Sequence, residues 1–292
     1  MIKLQVREFF ETRKRSFCVY PGSDPSHYDS LVQDSNPQIL GPSVVFDVRS
    51  QLHQNGYVLV STDLSDFAPP TPTSLSERYD GPYYGEAMLA LIGQMVGTLQ
   101  SLSHQHGGRT FHDVMPIQSY KNQQTSGSSD VTLEMHTELS FLDNPPEYLM
   151  LFCVRQDQEQ IAETHLYDSR FALDTLTLDQ YSLLTKHSYR FEADANVTET
   201  VKGKEEPVPV FDRATSRLLR YDIDTCEPVG QKHIEAYSAL TQALLDMRVS
   251  IRLKPGQVIL IDNKRIVHSR SKFKANYDGK DRWLKRALVR GN

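Results

Sequence analysis

Two hydrophobic rhythms run along the chain. In "YGEAMLALIGQMVGTLQSLSHQ", residues 84–105, the apolar positions Met88, Leu91, Ile92, Met95, Val96 and Leu99 recur at intervals of three and four, with Gly93 and Gly97 as small contact positions. That spacing predicts a helix over the whole stretch. A second helix is predicted for "KHIEAYSALTQALLDM", 232–247. Nearer the start, "YVLVS" at 57–61 reads as a strand, and "FAPPTPTSLSERYDGP" at 67–82 as an irregular loop.

From residue 110 onward the rhythm shortens. "RTFHDVMPIQS", "SDVTLEMHTELSF", "EYLMLFCVRQ", "THLYDSRFAL", "HSYRFEAD" and "RLLRYDID" read as short extended runs, and "VSIRLKPGQVILIDN" as two strands joined by a Pro-Gly turn. Many short strands with few helices predict a mainly β architecture with flanking helices, of the barrel or sandwich kind. Cores of this type commonly fold as one unit at 292 residues, so a single domain is expected. The stretch 192–216 is polar, contains proline and is weakly periodic. It is expected to be a long loop of the sort that covers a site.

Composition acts mainly by exclusion. A formal net charge of -5 and a pI near 6.1 carry no electrostatic footprint for nucleic acid. The N-terminal "MIKLQVREFFETRKRSF" is interrupted by charge every few residues, and no later run approaches membrane-spanning length. A cytoplasmic protein without membrane association is expected. Cys18, Cys153 and Cys226 fit neither a disulfide framework nor a zinc knuckle, so they are expected to be reduced, with Cys153 in the core.

Candidate chemistry begins at "EMHTELSF", 134–141. In a strand, residues i and i+2 point to the same side, so His136 and Glu138 would present an imidazole and a carboxylate together. The pattern His-x-Asp/Glu also occurs at 27–29 and 233–235. The first copy lies in a loop, and the last in a predicted helix, where side chains two apart point roughly 200° apart. A third ligand must come from a distant strand, and "QVILIDNKRIVHSR" offers His268 just past a highly apolar run. Two histidines and one carboxylate on one face of a metal suit non-haem Fe(II), leaving positions open for oxygen and substrate. "DRWLKRALVR" then supplies Arg282 and Arg286, and a guanidinium grips a carboxylate in a bidentate way that lysine does not match. In "RYDIDTCEP", Asp222 and Asp224 face together if extended, and two such carboxylates repel unless a cation joins them.

The blocks "MHTELSF", "IDNKRIVHSRSKF" and "YDGKDRWLKR", in this order within about residues 84–290, resemble the clavaminate synthase-like Fe(II)/2-oxoglutarate oxygenases, in the superfamily that includes taurine dioxygenase. The resemblance implies a distorted double-stranded β-helix, or jelly roll, with helices outside. It implies that His136, Glu138 and His268 bind iron, and that Arg282, fourteen residues after His268, binds the distal carboxylate of 2-oxoglutarate. Thr164 falls where the family places a hydroxyl that helps hold the same co-substrate. Arg286 falls at the position pairing with a substrate α-carboxylate, and Ser126 and Gln105 fall near those orienting the α-amino and α-carboxylate groups. Arginine-hydroxylating members hold a guanidinium with an acidic pair in the region of Asp222 and Asp224. A carboxylate at position 138 disfavours halogenation, which needs a small residue there.

The activity so implied is hydroxylation of an unactivated C–H bond, at C3 or C4, of a free basic L-amino acid, lysine or arginine. It uses Fe(II), 2-oxoglutarate and O2, with a small-molecule amino acid as partner. Two rival readings stand beside it: the same chemistry on a carrier-bound or peptidyl amino acid, and a non-catalytic jelly-roll protein that binds a metal.

Overall fold

The computed structural model describes residues 1–22, 26, 28, 39–77, 79–103, 106–193, 206–212 and 218–291. Its strands in chain order begin with β1 (Ile2–Leu4), β2 (Tyr57–Thr62), β3 (Gly97–Gln100), β4 (His112–Val114), β5 (Leu133–His136), β6 (Tyr148–Arg155) and β7 (Thr164–Asp168). They continue with β8 (Tyr189–Phe191), β9 (Phe211–Asp212), β10 (Leu218–Leu219), β11 (Cys226–Pro228), β12 (Arg248–Ile251), β13 (Gln257–Asp262), β14 (Ile266–Arg270) and β15 (Trp283–Gly291). A seven-stranded mixed sheet runs β1-β2-β13-β6-β15-β3, with β4 also paired to β15, and a four-stranded sheet runs β12-β7-β14-β5. Together with the helices this makes an α+β protein.

The apolar run of β6 reflects burial on both faces. Met150, Phe152 and Val154 pack on the side of the helix Tyr84–Gly93, whereas Leu149, Leu151 and Cys153 face a second core. β13 divides in the same way, with Val258 and Leu260 on one side and Ile259 and Ile261 on the other. The helix Gln231–Asp246 buries Ala236, Tyr237, Leu240, Ala243 and Leu244, one stripe at helical spacing, into that second core. Cys153 is buried there as expected, and burial pushes its thiol up to about 12; all three cysteines are free.

Three expectations need correction. The helix predicted for 84–105 stops at Gly93, and Gly97–Gln100 is a strand on the edge of the larger sheet. The backbone here approaches so closely that a Cβ on Gly97 would lie 1.9 Å from the Arg290 carbonyl oxygen, a contact only glycine permits. The strands flanking the Pro-Gly turn are not a hairpin: β12 pairs with β7 and β13 with β2 and β6, so the turn carries the chain from one sheet to the other. Within 192–216, residues 194–205 and 213–216 lie outside the described residues, while Phe211–Asp212 is a short strand paired with β10 and Val208 bridges to Tyr189. No helix among the described residues is long and apolar enough to cross a membrane.

β15 carries a charge into the first core. Lys285 is 3% exposed, with Glu86 at 2.8 Å and Asp113 also ion-paired to it, and Asp113 accepts a hydrogen bond from the Trp283 indole. Burial pushes the ammonium down, yet the two carboxylates outweigh it and the net shift is upward. The Asp113–Lys285 pair also holds β4 in register against β15. Lys285→Met would strand two buried carboxylates and is expected to cost about 3–5 kcal/mol of unfolding free energy, measured by urea denaturation.

Candidate active site

A cavity of about 330 Å³ lies between the two sheets, with Leu149, Leu151 and Leu284 contributed by the larger and Leu133 and Thr164 by the smaller. Its chemistry starts with register. β14 runs antiparallel to β5 with His268 directly opposite His136, and the two imidazole rings sit 4.3 Å apart. Glu138 joins them, and the ligand-capable atoms of all three residues lie within 4.8 Å of one another.

The route by which Glu138 arrives differs from the expected strand alternation. β5 ends at His136, and Glu138 begins a turn in which Leu139 takes a left-handed φ of 56°. Side chains far along the chain hold this turn. The Asn263 amide accepts from the Glu138 backbone N–H at 2.7 Å and donates to the Glu138 carbonyl at 3.1 Å and to that of Pro146 at 2.9 Å. Thr137, facing away, donates its backbone N–H to the Tyr221 carbonyl at 2.7 Å and accepts from the Tyr221 N–H at 3.1 Å through its hydroxyl.

The donor set fits a divalent metal. His136 Nδ1 lies 2.8 Å from the Glu134 carbonyl, which fixes the proton on that nitrogen and leaves Nε2 as a lone-pair donor. His268 Nδ1 is buried without a hydrogen-bond partner among the described residues, an orphaned ring nitrogen of the kind a metal ion satisfies. Burial, then His136 and Arg286, holds the His268 imidazole well below its ordinary pKa, so it is neutral, as a ligand must be. Two nitrogens and one carboxylate form the facial set suited to non-haem iron.

The expected anion contacts converge on the same cavity. Arg282, just before β15, and Arg286, within it, both line the space, as do Thr164 and Ser126; Gln105 lies outside the described residues. Arg282 and Arg270 flank one ring, their guanidinium carbons 5.8 and 5.0 Å from the centre of Phe273. Burial followed by Arg282 lowers the Arg270 guanidinium to about 9, and burial lowers Arg282 too. Burial outweighs the one carboxylate that acts on Arg282 among the described residues, Asp157, and Arg270 adds a second buried cation beside it, a setting that fits a dianion such as 2-oxoglutarate. Arg270 also donates to the Ser128 carbonyl and hydroxyl at 2.6 and 2.8 Å, bracing the loop that presents Ser126.

Arg286 donates through Nη1 to both carboxylate oxygens of Glu138, at 3.0 and 3.1 Å. Its other side meets His112 on β4. At the far wall, an isolated antiparallel bridge pairs Asp222 with His136, and Asp222, Asp224 and Glu134 all line the cavity. Asp222 Oδ1 accepts from the backbone N–H groups of Asp224 and Thr225 at 2.9 and 3.0 Å. Burial and then Asp222 raise the Asp224 carboxyl, and burial and then Asp224 raise Glu134.

Sequence reasoning missed Asn263, His112, Glu134 and Arg270. Glu134 was legible, since it stands two residues before His136 on the same strand. Nothing local marks Asn263 or His112, whose partners are 125 and 174 residues away.

Comparison with known proteins agrees with this geometry. The chain is 34% identical over 247 residues to clavaminate synthase 2 of Streptomyces clavuligerus, covering 81% of this chain and 74% of that protein. It is 31% identical to the L-lysine 3-hydroxylase of Catenulispora acidiphila, covering 76% and 63% respectively. Two solved structures share the fold. Asparagine oxygenase, in complex with Fe(II), 2S,3S-3-hydroxyasparagine and succinate, superposes with a TM-score of 0.86 at 23% identity, covering 99% of this chain and 93% of that one. The non-heme iron oxygenase OrfP, in complex with Fe and alpha-ketoglutaric acid, gives 0.81 at 23% identity, covering 99% and 94%. The model of the taurine catabolism dioxygenase TauD, TfdA family matches residues 35–288, and with the metal-competent triad where that match falls, the chain belongs to this dioxygenase family.

Proposed function

We propose that the protein is a cytoplasmic Fe(II)- and 2-oxoglutarate-dependent hydroxylase of a free basic L-amino acid, lysine or arginine, acting at C3 or C4. The two sheets enclosing the cavity are read as the halves of a distorted double-stranded β-helix, and the chain as one domain. One observation carries the substrate assignment. The bridge between Asp222 and His136 fixes an acidic wall, shared with Asp224 and Glu134, in the same cavity as the metal triad and Arg286. Relatives that act on lysine and on ornithine or arginine support the same reading.

In this reading His136, Glu138 and His268 hold iron, which with 2-oxoglutarate and O2 supplies the oxidation of the C–H bond. Arg282 binds the far carboxylate of 2-oxoglutarate, assisted by the Thr164 hydroxyl. Arg286 takes the substrate α-carboxylate, with Ser126 helping to orient the α-amino and α-carboxylate groups; Gln105, assigned the same role, lies outside the described residues. The acidic wall takes the side-chain cation, so the amino acid is held at both ends and the carbons between are presented to the metal. The apolar lining of Leu149, Leu151 and Leu284 limits water around those carbons.

A screen of the twenty amino acids for stimulated succinate release, with mass detection of a 16 Da gain, tests the assignment. Lysine or arginine is expected to respond; a response confined to a carrier-bound or peptidyl amino acid would overturn it. His268→Ala is expected to abolish the succinate release. Asp222→Ala and Asp224→Ala are each expected to raise KM for the basic substrate by about 10- to 100-fold, the worth of a lost hydrogen bond to a charged group. An unchanged KM in both would remove the cation pocket.

A pH dependence follows from Asp224. Its carboxyl sits above the ordinary value, so it protonates, and stops attracting a cation, at a higher pH than an ordinary aspartate. KM for the basic substrate is therefore expected to climb as pH falls through that raised range, and Asp224→Asn to flatten the climb in steady-state assays.

A further inference from the structure

Arg286 lies between two groups, and only one of them is a candidate metal ligand. On the other side His112 is 3% exposed, with its Nδ1 2.7 Å from Arg286 Nη2 and 3.3 Å from Nε. A guanidinium has donors and no acceptor, so Nδ1 must be the unprotonated nitrogen of the ring. The proton then sits on Nε2, which lies 2.7 Å from the Arg109 carbonyl oxygen and donates to it. Both ring nitrogens are thereby committed, and the imidazole is a neutral acceptor of fixed orientation.

The strand pairing explains why this acceptor is in place. β4 and β15 set His112 opposite Arg286 and Asp113 opposite Lys285. Alternation sends the first pair toward the cavity and the second into the core, where the ion pair of Asp113 with Lys285 locks the register.

We propose that His112 is a positioning residue for substrate binding: it fixes the plane of the Arg286 guanidinium, and so the pose in which the substrate carboxylate is gripped. The inference rests on the reading of Arg286 as the α-carboxylate contact. The Nη1 contact with Glu138 does not by itself define the plane of the guanidinium, and a side-on contact through Nε and Nη2 does. The angle at which the carboxylate docks then selects which carbon faces the metal, making His112 a determinant of regiochemistry and of coupling.

The test compares His112→Leu, His112→Gln and Arg286→Met in the full-length iron-loaded enzyme with the amino acid found in the screen. His112→Leu is expected to raise KM for the amino acid by at least about tenfold while KM for 2-oxoglutarate stays near the parent value. It is also expected to release more succinate per hydroxylated product and to spread hydroxylation over neighbouring carbons. His112→Gln, whose amide oxygen can accept from Arg286, is expected to recover most of the affinity and coupling. Parent-like KM and coupling in His112→Leu, or no recovery in His112→Gln, would overturn the proposal. If Arg286→Met leaves the amino-acid KM unchanged, the underlying reading of Arg286 fails first, which separates the two failures. Should His112→Leu not fold, 15N chemical shifts of the histidine ring in the intact parent protein decide: a neutral ring protonated at Nε2 is expected, and a proton on Nδ1 would refute the contact.

Discussion

The register between β5 and β14 is the constraint on which the site depends. His268 stands opposite His136, and side chains alternate faces along each strand, so a slip of one residue would turn one imidazole away and dissolve the triad. The protein defends that register by unusual means. Thr137 exchanges hydrogen bonds with the backbone of Tyr221, Asn263 clasps the backbone of Glu138, and the bridge at Asp222 closes the same corner. The metal-competent triad and the acidic wall are thus parts of one backbone arrangement.

Electrostatics complete the design. Within one cavity, Arg270 and Arg282 form a cationic end, and Asp222, Asp224 and Glu134 form an acidic end. Arg286 sits between, against Glu138 and His112. Separated charges of this kind are unfavourable in isolation, since burial penalises each one and like neighbours add to the penalty. Ligands with the opposite charge distribution relieve it, which is how a small amphoteric molecule and a dianion can each be told where to lie.

Much of this was legible in the sequence, though not always for the right reason. His136 and Glu138 do lie together, but strand alternation was the wrong argument: β5 stops at His136, and a left-handed turn held by Asn263 delivers the carboxylate. The helix Gln231–Asp246 and the strand β2 follow their periodicity closely, because each has one consistently buried stripe. The helix beginning at Tyr84 outran its true end, since Met95, Val96 and Leu99 keep helical spacing while serving a turn and an edge strand. What no periodicity could disclose was the set of contacts made across more than a hundred residues, such as His112 with Arg286 and Asn263 with Glu138. Those depend on which strands become neighbours, a property of topology rather than of local composition.

That topology also bears on how the cavity can open. The chain crosses from the smaller sheet to the larger between β12 and β13, then back again between β13 and β14, within three to five residues each time. Two such short stitches, one at each end of β13, tie the walls together, so they cannot part there like covers of a book without tearing strand pairs. The walls therefore keep a set spacing, and discrimination by length falls to the segments that border the cavity rather than to movement of the sheets.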